Sequence, residues 1–306
     1  MPGPLRHVNG WLLDDGDFVV AVDTGPQAED ALAAWPALLG GRSLAQVICT
    51  HFHPDHSGLA GWLCREHDAP LTMTRAEWLT LRMIHADARD DVPDEAVAFW
   101  RGAGWSEDQI AAARARGWSF FRRWVSPPPF GYRRIVNGDV LTIGDRTWRV
   151  VTGNGHSPNH ACLLDAEARV LIAGDQLLPR ISSNVSLGAG EPEADPLGDW
   201  LASLAKLRRL SDDLLVLPGH GDPFRGLHAR VDALATEHRE RLDALRDHLA
   251  EPRRAVDCFS VLFHRPIGAD AIGLATGEAL AHLRRLELEG AARRESRDGV
   301  WWFAAA

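Results

Sequence analysis

Thr50-His51-Phe52-His53-Pro54-Asp55-His56-Ser57-Gly58 is the stretch from which the rest of the chain can be read. Four residues of metal-binding type, His51, His53, Asp55 and His56, fall within six positions. In extended backbone alternate residues share a face, so His51 and His53 can reach one cation. Asp55 and His56 lie past the Pro54 turn and can face a second one. A polar surface loop with incidental histidines is the bland alternative, and the density of ligands argues against it.

Working outward, short apolar runs end in the same kind of residue. Phe18 to Val22 closes at Asp23-Thr24-Gly25, and Gln46 to Thr50 closes at His51. Trp148 to Val151 leads to Gly155-His156-Ser157-Pro158-Asn159-His160. Val170 to Ala173 ends at Gly174-Asp175, and Leu214 to Leu217 ends at Pro218-Gly219-His220. Each run has strand length and a Gly or Pro breaker. Strand-end loops are where scaffolds tend to carry chemistry. An unpaired buried carboxylate at Asp175 would be costly, which points to a partner for it.

Helical signals lie between these strands. Thr74-Arg-Ala-Glu77 and Ser106-Glu-Asp-Gln109 have capping-box spacing. Asp195-Pro196 opens a helix through Leu210, and residues 228 to 250 form a long amphipathic one. Residues 75 to 135 hold five of the 12 tryptophans and read as a mostly helical aromatic insertion. Those rings either make a core under an added layer or wall a pocket. In the tail, a short helix near Val256 to Phe263 and a helix from about Gly277 to Glu289 precede a hairpin turning at Asp298-Gly299. Helix, helix, hairpin suggests a winged-helix-like unit.

Composition bounds the classes that remain. The 306 residues are 45% hydrophobic and 25% charged, which is globular rather than disordered or fibrous. The length suggests one large domain with an appendage, or two domains, and the long helix from residue 228 with the distinct tail pattern divides the chain into 1–227 and 228–306. No apolar run approaches a membrane span, and Met1 to Leu13 has no signal-like apolar core. Cys49, Cys64, Cys162 and Cys258 form no C-x-x-C, so a cytoplasmic protein with reduced thiols is expected. The net charge of −9 argues against a broad nucleic-acid surface. The tail has 12 Arg against 13 Asp and Glu from residue 228 on, so it lacks the basic patch that phosphate binding needs.

H-x-H-x-D-H, then G-H-x-x-x-H, a strand-end Asp and a final G-H resemble the metallo-β-lactamase superfamily. The match runs in order over residues 8 to 225. The resemblance implies an α/β fold: a four-layer αββα sandwich with a dinuclear site at one edge of two facing sheets. By that resemblance His51, His53 and His156 hold a first metal, and Asp55, His56 and His220 hold a second. Asp175 bridges both. His160 stands behind the ligands, and Asp23 orients a ligand histidine.

The cofactors implied are two divalent ions, zinc by preference, with iron or manganese also suited to imidazole and carboxylate. Two such ions ~3.5–4 Å apart make hydroxide available near neutral pH. Asp55 adds a catalytic role, orienting the nucleophile or carrying a proton.

Asp175 stands where one zinc β-lactamase class has a cysteine, and resembles the bridging Asp of glyoxalase II and lactonase branches. The expected substrate is a small ester, thioester or lactone. A phosphodiesterase or nuclease is the runner-up, followed by a nucleic-acid-binding protein with a non-catalytic metal. Tyr132 and Asn184 are candidate pocket residues. The tail is expected to serve packing, dimerisation or pocket covering rather than DNA binding.

Overall fold

The computed structural model describes residues 7–87 and 89–306. The chain forms two compact units, both discontinuous. One comprises Met1–Ala88, Ser119–Ser183 and Leu210–Arg230. The other comprises Arg89–Trp118, Asn184–Arg209 and Val231–Ala306.

The first unit is built on two five-stranded sheets. The first sheet has the order β1 (Trp11–Asp15), β2 (Phe18–Val22), β3 (Ser43–Ile48), β4 (Leu71–Thr74), β5 (Arg133–Ile135). β1 is antiparallel to β2, and the other pairs are parallel. Helices α1 (Glu29–Leu39), α2 (Pro54–Ser57), α3 (Ala60–His67) and α4 (Arg75–Ala86) connect these strands. The second sheet has the order β10 (Leu215–Pro218), β9 (Val170–Gly174), β8 (His160–Asp165), β7 (Arg146–Gly153), β6 (Val140–Ile143).

Strand alternation sorts the apolar residues into two cores. Val20, Val22 and Ile48 of the first sheet pack with Trp148, Val150, Leu163 and Ile172 of the second, so the sheets face each other. Val19, Ala21 and Val47 point the other way and pack with Trp35 and Leu39 of α1 and with Leu63 of α3. β2 and β3 are thus covered on both faces, and so they read as nearly continuous apolar runs.

The topology also gathers the strand ends. β7, β8 and β9 are successively antiparallel, so β7 and β9 point the same way. β10 is parallel to β9, with Pro218 opposite Gly174. The residues following β7, β9 and β10 therefore emerge at one edge of the sheet, and these are the segments that carry His156, Asp175 and His220.

The second unit contains α5 (Asp94–Gly102), α6 (Glu107–Arg116) and α7 (Pro196–Leu207), together with most of α8 (Leu227–His248). It continues with α9 (Phe259–Leu262), α10 (Ile272–Leu288) and the hairpin of β11 (Ala292–Arg297) with β12 (Val300–Ala305). The hairpin turns at Asp298 and Gly299, both at positive φ, as a two-residue loop requires. The middle of the aromatic stretch belongs to this unit. Trp105 Nε1 donates to Thr276 Oγ1 at 2.8 Å, and Phe99 meets Trp301 edge-on. Phe99, Trp100 and Trp118 help line an apolar cavity of about 270 Å³. Phe99 thus belongs both to the packed interior and to the wall of the cavity. Ser106 and Gln109 form the expected capping box, and Asp195 caps α7. Thr74 does not cap α4, although Glu77 has the right spacing. Among the described residues no helix is long and apolar enough to cross a membrane.

His238 and His282 form a fully buried pair in this unit, with their ring nitrogens 3.2 Å apart. Burial pushes His238 down to about 3, helped by His282 and Arg241, and burial pushes His282 down to about 4. The unfolded chain therefore binds more protons below the ordinary imidazole pKa of ~6.5. The pair's contribution to stability is complete above that pH and declines as pH falls toward 4 and 3. The urea midpoint should drop from pH 7 to pH 4, and His282→Asn should flatten that drop. A drop as steep in the variant would exclude the pair as its source.

Candidate metal centre

His51 follows β3, His53 to His56 run into the short α2, and the other three loops meet them from the second sheet. Three clusters of ligand atoms result: His51, His53 and His156; His51, His56 and Asp175; and Asp55, His56 and His220. His156 Nε2 lies 3.1 Å from His53 Nδ1 and 3.3 Å from His51 Nε2. Asp175 sits between the outer two clusters. Its Oδ1 is 3.3 Å from His56 Nε2, while its Oδ2 is 3.4 Å from His220 Nε2 and 3.7 Å from His156 Nε2. Asp55 Oδ2 is 3.3 Å from His220 Nε2.

The surrounding hydrogen bonds fix which ring nitrogen faces inward. Thr50 Oγ1 donates to Asp23 Oδ2 at 2.8 Å, so it accepts from His51 Nδ1 at 3.0 Å. His56 Nδ1 donates to the same Asp23 oxygen at 2.7 Å, and His220 Nδ1 donates to the His7 carbonyl at 2.6 Å. With each ring neutral, Nε2 is left as a lone pair aimed into the cluster. His56 Nε2, His220 Nε2 and Asp175 Oδ1 are buried and have no hydrogen-bond partner. Lone pairs facing a carboxylate oxygen at 3.3–3.4 Å need a positive charge between them. The donor set, imidazole and carboxylate, fits a divalent first-row cation.

The electrostatics point the same way. Burial holds His51 well below the ordinary imidazole range and lowers His53 to about 3, with neighbouring histidines adding to both. Those rings are neutral, as ligation requires. Burial opposes charge on His56 and His220 too, but there the carboxylates outweigh it. Asp175 and Asp23 hold His56 well above its usual value, and the Asp175 and Asp55 carboxylates raise His220 to about 9, so without a cation these two rings would take up protons in its place. Burial likewise opposes ionisation of Asp175, yet His56 and His220 keep it well below the carboxylate range.

His160 is arranged differently. Its Nε2 accepts the Asp175 N–H at 3.1 Å, and its ring stacks on His51 at 4.9 Å. It stands behind the cluster and holds two of its members. Asp23 sits at φ 64, an uncommon conformation for a residue other than glycine. The remaining two candidates have other neighbours. Tyr132 stacks on Trp78 at 4.3 Å against the helix-side core of the first sheet. Asn184 belongs to the second unit, where its amide donates to Leu274 O and Glu278 Oε2. Sequence reasoning missed Asn9. Its side chain donates to the carbonyls of Pro218 and Gly221, and its N–H donates to Gly219 O. A lone polar residue 212 positions from its partner carries no local signal.

Comparisons with known proteins agree with this arrangement. The family model for the metallo-beta-lactamase superfamily matches residues 3–220, and that for the metallo-beta-lactamase-like C-terminal domain matches residues 242–306. A probable metallo-hydrolase, YqjP of Bacillus subtilis, is 27% identical over 91% of this chain and 88% of its own. The acyl-coenzyme A thioesterase MBLAC2 of Gallus gallus is 30% identical over 72% of this chain and 74% of its own. The crystal structure of a beta-lactamase domain protein from Burkholderia ambifaria is 38% identical. It superposes with a TM-score of 0.90 over all of this chain and 90% of that one. With two facing sheets, ligand loops gathered at one edge and a match across most of its length, the chain belongs to the metallo-beta-lactamase superfamily.

Proposed function

We propose that this chain is a dinuclear metal-dependent hydrolase of a small thioester or related ester. The observation that carries the reading is Asp175, whose two oxygens face two clusters of ligand atoms. His51, His53 and His156 would hold one divalent cation, and Asp55, His56 and His220 the other. Zinc is the first choice for both. Bound there, the ions would lower the pKa of a water toward ~7 and polarise the scissile carbonyl. Asp55 is the most open of the carboxylates, with its side chain 24% exposed. Burial works against its ionisation, but His56 and His220 keep its pKa well below the usual carboxylate range. A carboxylate so acidic stays ionised, able to accept a hydrogen bond but poor at holding a proton. Its role is to orient the attacking water. Support for the thioester bond comes from the chicken acyl-coenzyme A thioesterase among the relatives.

The test is a panel of initial rates on metal-loaded protein: thioesters, lactones, aryl esters, bis-aryl phosphodiesters and a β-lactam. Thioester turnover at least ~100-fold above phosphodiester is expected. A phosphodiester preference would replace this reading with nucleotide or nucleic-acid chemistry. Silence across the panel at full metal loading would end the hydrolase reading.

A further inference from the structure

From the hydrogen bonds around α4, we infer that Glu77 is a positioning residue that ties the two loops of one metal cluster together. The inference rests on the metal reading above. Glu77 is fully buried. Its Oε2 accepts the Phe52 N–H at 3.0 Å. Its Oε1 accepts the Ser157 hydroxyl at 2.6 Å and the Asn159 N–H at 2.7 Å. Phe52 lies between His51 and His53, and Ser157 follows His156. One carboxylate thus holds the His51–His53 loop and the His156 loop at a set separation. Thr74, three residues earlier, donates its hydroxyl to the Asn159 carbonyl at 2.8 Å. The first turn of α4 therefore grips both the N–H and the C=O of Asn159. The T-x-x-E spacing that suggests a helix cap is used to clamp a neighbouring loop instead.

Two features set Glu77 apart from a general core residue. All three of its partners are donors, two of them backbone N–H groups. A glutamine would aim its own N–H at one of those amides whichever way it was turned, so one loop would be released. An aspartate is one methylene too short to reach both loops. The action is also confined to one cluster. His56 and His220 are held by Asp23 and by the His7 carbonyl, and neither contact involves Glu77. Glu77 therefore governs His51, His53 and His156 and leaves Asp55, His56 and His220 alone.

Metal-free protein is titrated with Co(II) alone, following the visible spectrum and competition by a chelator. His220→Ala disables one cluster and identifies the binding step that belongs to the other. In that background Glu77→Gln should weaken the remaining step by ~10–100-fold, the range for groups that orient ligands. In the otherwise native chain it should weaken that step and leave the second within ~3-fold. Glu77→Asp should recover little.

Equal weakening of both steps would mean that Glu77 is only scaffold, and no change would mean that it positions nothing. Either result overturns the inference. If wild type binds no cobalt, the metal reading falls and this inference with it, an outcome distinct from both. Should Glu77→Gln fail to fold, Ser157→Ala and Thr74→Val each remove one bond of the clamp. Both are expected to shift the same step selectively by ~3–10-fold, and an unshifted step in both overturns the inference.

Discussion

Asp175→Asn should leave a folded protein that has lost metal and activity together. The substitution keeps the side chain's shape and removes its charge. Its oxygens face His56, His220 and His156 at 3.3 to 3.7 Å, so it reaches ligands of both outer clusters. An amide would offer one neutral oxygen where two anionic ones stood, and its N–H groups would confront unprotonated Nε2 atoms or a cation. Metal affinity should fall ~100-fold or more, the upper end of what groups behind the ligands contribute. The rate should fall by ~10²–10³-fold, since metal assistance contributes several kcal/mol. Metal analysis after dialysis and initial rates on the best panel substrate measure both. A fully loaded, active Asp175→Asn protein would remove the bridging assignment, and the two clusters would then have to act independently.

Gly219→Ala should be nearly as damaging, although it adds a single methyl group. A Cβ at Gly219 would overlap Asp175 Oδ1 and lie 2.6 Å from His56 Cε1. Real Cβ contacts are not found that close, so two ligands must move or the loop must. The loop is held by Asn9 at three of its backbone carbonyls and by the Gly174 carbonyl, which accepts the Gly219 N–H. Overpacking of this kind costs about 1–3 kcal/mol of stability. The Asp55, His56 and His220 cluster should lose most of its metal affinity, and activity should fall ~100-fold. Gly188→Ala is the control, since nothing lies within 4 Å of its Cβ position. Rates and cobalt titration on the two variants decide the point. Wild-type behaviour of Gly219→Ala would mean that the loop relaxes freely and does not constrain the ligands.

The candidate ligands were legible in the sequence because much of their signal is local. H-x-H-x-D-H packs four donors into six residues, and the Gly and Pro breakers mark where strands end. Burial of β2 and β3 on both faces writes itself as nearly continuous apolar runs. The five strand readings from residues 18, 46, 148, 170 and 214 each overlap an observed strand, the second running two residues past the end of β3. The tail hairpin was legible as well, since Asp298-Gly299 suits a two-residue turn. α10 begins at Ile272, earlier than the position near Gly277 read from the sequence, because its first turn carries no side-chain cap to mark it.

What the sequence determined by itself was therefore the family, the strand ends and the set of imidazoles and carboxylates that converge. Tertiary structure alone decided which nitrogen of each ring faces inward, where Glu77 spends its carboxylate and why Gly219 has no room for a methyl. It also decided that residues 89–118 and 184–209 pack in one unit with the C-terminal segment. The physical reason is separation along the chain. His7 holds His220 from 213 residues away, and Glu77 holds Asn159 from 82. Contacts at that distance leave no periodicity, spacing or cap to read, and arise only once two sheets have packed face to face.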